Sequence, residues 1–162
     1  MLPPHDAPDA PATTAQVLRR FRVVFNAVRS HFQQVQSQVG LGSAQVWALS
    51  VVRDQPAIGM GGLAKSMDIH QSTASNLVKA LLGKALIRVD KAPEDRRHVQ
   101  LHILPAGLAV LDQVPGPFAG VLPLALGKLP EASLLRLDQD LAELIVLLKA
   151  DEQAGGIPLA EL

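Results

Sequence analysis

The chain has 162 residues, about one domain at roughly 150 residues each. Fifteen Lys and Arg cancel fifteen Asp and Glu, and 48% of residues are hydrophobic, so wholesale disorder is excluded. Cysteine is absent, which removes disulfides, thiolate metal sites, cysteine nucleophiles and thiol redox sensing. With aromatics at 3%, the core falls to Leu, Val, Ala and Ile, a composition suited to packed helices.

Residues 1–12 carry Pro3, Pro4, Pro8 and Pro11 and predict a flexible tail. No Lys or Arg precedes Arg19, so the basic start of a secretory signal is missing. Thr13 and Gln16 form a capping box at a helix start. After it, Val17, Phe21, Val24, Val28, Phe32, Val35 and Val39 recur at spacings of three and four. They predict an amphipathic helix ending near Gly40 or Gly42. Its length, roughly 38 Å, outreaches a small domain and implies a partner for the surplus stripe.

Ser43 is the expected N-cap of a second helix through Val52, carrying Trp47. Pro56 and the glycines at 59, 61 and 62 then break the chain, and a short helix over Leu63–Met67 stops at Asp68. The next helix is predicted from Gln71 to Lys84, with Ala74, Leu77, Val78, Leu81 and Leu82 as its buried face. The period then changes to two: Leu86–Asp90 and His98–Ile103 are strands of a hairpin around the polar loop Lys91–Arg97. From Pro105 the chain is helical again, kinked or split by three prolines between 115 and 123. A last helix begins at Pro130–Glu131 and keeps Leu134, Leu137, Leu141, Leu144, Ile145 and Leu148 in step. Residues 151–162 are expected to fray. The longest apolar run, Gln113–Gly127, is too short and too proline-broken to span a bilayer, so a soluble cytoplasmic protein without a membrane partner is expected.

The zero net charge is unevenly spread. Residues 63–97 hold seven Lys or Arg against four acids, or +3, whereas residues 103–162 hold three against eight, or −5. Within the basic stretch, a small helix, a tight turn and a second helix with a polar start make a helix-turn-helix. In that arrangement the first residues of the second helix meet base edges in the major groove, here Gln71, Ser72, Thr73 and Asn76. Their groups suit the task, since Gln and Asn pair bidentately with adenine and Ser or Thr bond to bases or phosphate.

The stretch LAKSMDIHQSTASNLVKALLGKALIRV…PEDRRHVQLHILPAG resembles the winged helix-turn-helix of the MarR family of bacterial transcription regulators. Asp95-Arg96-Arg97, followed by a strand and a Pro-Ala-Gly helix start, carries the resemblance, which covers roughly residues 43–110 closely. It implies a mainly α (α+β) fold. The winged lobe with its two-stranded wing occupies 43–104, the helices of 13–42 and 105–150 form a dimerisation region, and 151–162 are a C-terminal tail. It also implies a homodimer on a pseudo-palindromic DNA operator. Gln71, Ser72, Thr73 and Asn76 would face bases, Lys79 the backbone, and Arg96 or Arg97 the adjacent minor groove. Asp95 would brace the wing by pairing with an arginine. Family members often bind small anionic or phenolic effectors between the dimer helices and the winged lobe, where position makes Arg29, His31 and Trp47 candidates.

This chain departs from the family pattern at four places. His70 replaces the usual Ser or Thr before the recognition helix, Asn76 a frequent Arg, Ala85 the usual Gly after the helix, and Leu104 the usual Thr before Pro-Ala-Gly. A left-handed turn at Ala85 would be strained. Those at His70, Asn76 and Ala85 motivate an alternative, a winged-helix interaction module that has lost DNA binding. No cofactor and no enzyme activity are expected: there is no phosphate-binding glycine loop, Ser-His-Asp grouping or carboxylate pair. Nor is a metal, because His98 and His102, four apart on a strand, lie roughly 13 Å from one another, and His31 and His70 have no neighbouring ligand. The overall expectation is a DNA-binding regulator, a repressor by occlusion of its operator.

Overall fold

The computed structural model describes residues 11–162, so the proline-rich tail expected over 1–12 lies outside the described residues except for its last two. Helix α1 spans Thr14–Val39, and both hydrogen bonds of the Thr13/Gln16 capping box are present. It closes at Gly40, whose φ of 68° is left-handed and whose amide bonds the Gln36 carbonyl at 2.9 Å. Only Val28 and Val35 of this helix are buried, and Val17, Val24 and Phe25 are left exposed.

Helix α2 (Ser43–Asp54) is the centre of the core, with Val46, Ala48, Leu49 and Val52 at or near zero exposure. Gly42, not Ser43, is its N-cap. Leu41 must be buried immediately after Gly40 ends α1, so the next helix restarts one residue sooner than the cap preference suggests. Helix α3 (Met60–Met67) likewise starts three residues earlier than Leu63, because the Gly59 carbonyl accepts the Leu63 amide. Burial of Leu63, Ala64 and Met67 outweighs the poor helix propensity of Gly61 and Gly62. Gly62 has a positive use: a Cβ there would sit 3.0 Å from Ile58 Cγ1.

The turn to helix α4 (Gln71–Gly83) is made by Asp68, at φ 53°, a left-handed value that Asp tolerates better than most residues. Ala74, Leu77, Val78 and Leu81 of α4 are buried, but Leu82 is 40% exposed, on the flank of the apolar stripe. At the far end, the Leu86 amide bonds Leu81 O and the Ala85 amide bonds Leu82 O, a Schellman pair. That motif needs a left-handed residue between them, and Ala85 supplies it at φ 54°. A non-glycine residue there is strained, so Ala85→Gly is expected to stabilise the fold by about 1 kcal/mol, raising Tm by about 3 °C. A thermal melt showing no gain would mean that the turn relaxes at no cost.

Strands β1 (Ile87–Lys91) and β2 (Val99–Ile103) pair antiparallel, from Ile87 opposite Ile103 to Lys91 opposite Val99. Each begins one residue later than its sequence pattern suggests. The Leu86 amide is engaged in the Schellman pair and the His98 amide in a turn to Asp95 O. An isolated bridge joins Ile58 to Leu101, with Leu101 fully buried. Sequence patterning gives no sign of this bridge, since Pro56 and the glycines around it look like a plain break.

Helix α5 (Pro105–Gln113) starts without a side-chain cap at Leu104, as its apolar side chain dictates. The prolines do split the chain beyond α5: residues 114–120 are irregular, and a six-residue α6 (Val121–Leu126) precedes α7 (Glu131–Leu148). No residue of α7 is buried, although it carries Leu134, Leu135, Leu137, Leu141, Val146, Leu147 and Leu148. Residues 151–162 do not fray. They form two short 3₁₀ turns, Glu152–Gly156 and Leu159–Glu161, the first capped by the Asp151 side chain on the Gln153 amide. No helix among the described residues is long and apolar enough to cross a membrane.

Candidate nucleic-acid interface

With the apolar face of α4 buried, helical geometry turns Ser72, Asn76 and Lys79 outward together, and all three are exposed. Gln71 is exposed on one flank, whereas Thr73 is half-buried on the other. Ser75 is exposed beside Asn76 and belongs to the same surface. Its four-residue spacing between Gln71 and Lys79 was the available signal.

The hairpin loop presents Arg96 and Arg97, both exposed and without an ion-pair partner among the described residues. Asp95 does organise this loop, but not through a guanidinium. Its Oδ1 accepts the Arg97 backbone amide at 2.9 Å, and its Oδ2 lies 2.9 Å from His98 Nδ1. The reason is local: Asp95–His98 is a tight turn with Asp at its first position, which brings the amide two residues on over the carboxylate. The same amide bond, with His98 second, holds the Asp95 carboxyl below the ordinary aspartate value of 3.8. The arginine side chains are thereby left free to project.

Helix and wing meet in one groove. Gln71 from the start of α4, Gly61 and Gly62 from α3, and Arg97 and Gln100 from the hairpin line a single surface cavity. Farther up the wing, Asp90 is claimed by Arg88 and lies 3.6 Å from His102 Nε2, so its carboxylate is partly neutralised. Among the described residues no cluster of three or more His, Asp or Glu side chains is arranged to hold a metal.

A second cavity, of about 520 Å³, opens between α1, α2 and the turn before α4, and its walls are mostly apolar. Phe32, Ser43, Trp47 and Ile69 line it, with Leu122 and Ile157 from the C-terminal half. Of the three residues expected to meet an effector, Trp47 lies in this wall, while Arg29 and His31 do not. His31 packs beside Phe32, with ring centroids 6.2 Å apart, and burial pushes its pKa below the ordinary 6.5. It is therefore an uncharged ring at neutral pH. The Ser43 hydroxyl is buried with no hydrogen-bond partner among the described residues.

Residues 41–99, which hold α2, the helix-turn-helix and most of the hairpin, match the family model described as MarR family. Over this segment the chain is similar to the MarR family. The repressor NicR of Pseudomonas putida is 27% identical over 142 residues, covering 88% of each chain. A protein assigned to transcriptional regulation of the hcr operon in Thauera aromatica is 30% identical over 97 residues. That match covers 60% of this chain, which spans only 57% of the relative's length. Among solved structures, BpsR of Bordetella bronchiseptica, whose DNA binding is regulated by 6-hydroxynicotinic acid, superposes with a TM-score of 0.56 at 26% identity. The match covers 83% of this chain and 97% of BpsR. The proteins that these matches name are transcriptional regulators, not enzymes.

Proposed function

We propose that this MarR-type regulator is a repressor that binds a pseudo-palindromic operator as a homodimer and is released by a small aromatic acid. The observation that carries the DNA reading is the shared groove of Gln71 and Arg97, with neither Arg96 nor Arg97 paired to an acid among the described residues. Base-reading groups and phosphate-seeking charges then face the same way.

Dimerisation is supported by two uncovered apolar helices of opposite charge. Helix α1 holds Arg19, Arg20, Arg22 and Arg29 with no acid, and α7 holds Glu131, Asp138, Asp140 and Glu143 against Arg136. An 18-residue helix with seven exposed large apolar side chains is a poor solute on its own and a good interface between copies.

The effector reading is supported by the cavity at Trp47. At its α2 end the helix start has no side-chain cap and Ser43 Oγ has no partner, so unmatched donors face a place where a carboxylate would be favoured. Phe32 and Trp47 offer aromatic walls for a ring. The regulation of BpsR by 6-hydroxynicotinic acid makes that compound the natural probe.

The deciding experiment is selection of duplexes from a randomised pool, followed by titration of the selected DNA. Half-sites about one helical turn (~10 bp) apart are expected. Asn76→Ala should chiefly relax base preference at one position in each half-site, by about 1–3 kcal/mol of discrimination. Adding 6-hydroxynicotinic acid should alter the emission of Trp47, the one tryptophan of the chain, and release the DNA. Enrichment of no sequence at low salt would favour the alternative of an interaction module without DNA binding.

A further inference from the structure

The residue before the recognition helix is His70, which gives α4 no side-chain cap. Its polar groups are instead taken by the C-terminal segment. The His70 amide donates to Gly156 O at 3.0 Å, and His70 Nε2 lies 2.6 Å from Gln153 O. Gly156 is required for this fit, because a Cβ there would overlap the imidazole ring. Residues 151–162 contain Asp151, Glu152 and Glu161 and no Lys or Arg. Two backbone-anchored contacts thus hold an acidic segment at the start of the helix that reads DNA. A helix start attracts anions, and on DNA the anion is phosphate.

We propose that residues 151–162 are an autoinhibitory strap, anchored on His70, that lowers DNA affinity while it is docked. The inference rests on the DNA-binding reading above and adds a device to it. Docked, the strap gives the His70 amide to its own Gly156 carbonyl, and the negative charge of the segment repels the incoming backbone. Released, it exposes the His70 amide and the helix start to phosphate. The other side of the strap is apolar: Ile157, Pro158, Leu159 and Ala160 form part of the wall of the cavity at Trp47. A ligand seated there gains its wall only when the strap is docked. Occupancy and strap closure therefore favour each other, which supplies a sign for effector release.

The test compares three full-domain proteins on one selected duplex: wild type, Gly156→Ala, and a chain ending at Ala150. Gly156→Ala unseats the His70 contact while leaving every other side chain in place, so it decides the matter if the shortened chain fails to fold. Both variants should bind about fivefold tighter at low salt, with the gap closing as salt rises. The His70 amide should also exchange with solvent faster in both. Variants that bind no tighter than a wild type that does bind overturn the strap alone. Unchanged His70 exchange in Gly156→Ala overturns it as well. If none of the three binds any duplex, the DNA-binding reading itself fails, and the inhibition with it.

Discussion

Gly107→Ala should destabilise the fold by about 3 kcal/mol, lowering Tm by roughly 10 °C, the largest loss expected from adding one methyl group to this chain. Gly107 is the glycine of the Pro-Ala-Gly start of α5 and is buried. A Cβ there would overlap the Leu86 carbonyl oxygen and lie 2.8 Å from Ile103 Cγ1 and 3.1 Å from Leu49 Cδ1. The carbonyl cannot retreat easily, since it accepts the Leu104 amide at 2.9 Å. Leu49 has no exposure and nowhere to move. The methyl must therefore push α5 off the junction of β1, β2 and α2. Gly61→Ala is the control, in a helix and with nothing within 4 Å, and should be neutral or stabilising by up to about 1 kcal/mol. Urea unfolding of both variants checks the pair. A loss below about 1 kcal/mol at position 107 would show that α5 is docked more loosely than its contacts imply.

Replacing Arg96 and Arg97 together by Ala should weaken binding to a selected operator on the order of 100-fold near 0.1 M salt, with little change in base preference. In a homodimer the double substitution removes four cations, so the slope of log K against log salt should flatten by about 3 to 4. The stability of the protein should hardly change, because neither guanidinium has an ion-pair partner among the described residues. Full affinity and an unaltered slope would remove the wing from the interface. Normal folding with lost affinity would separate this result from any general collapse of the hairpin.

Much of this architecture was legible in the sequence because short-range physics decides it. The capping box at Thr13, the left-handed stop at Gly40 and the split at the prolines each stem from a few neighbouring side chains. The strain at Ala85 was legible too, from the resemblance, whose pattern has a glycine at that position. What local chemistry missed came from tertiary burial. Leu41 moved the start of α2, the core side of α3 carried a helix through two glycines, and Leu82 lost its place in the apolar face by a fraction of a turn. At the candidate interface, side-chain chemistry named Gln71, Ser72, Thr73 and Asn76, and the resemblance added Lys79, but Thr73 is half-buried and exposed Ser75 was left out. It also assigned Asp95 a guanidinium where the turn offers an amide. The docking of residues 151–162 on His70 was not legible at all, because it is held largely by backbone carbonyls that carry no residue signature.

The bridge between Ile58 and Leu101 limits how such a molecule can be tuned. Leu101 N and O each bond the segment just before α3, at 2.8 and 3.1 Å, so the middle of β2 is sewn to the entry of the helix-turn-helix. Wing and helix-turn-helix thus share one backbone seam. A substitution that loosens this seam is therefore felt at the wing and at the helix-turn-helix together.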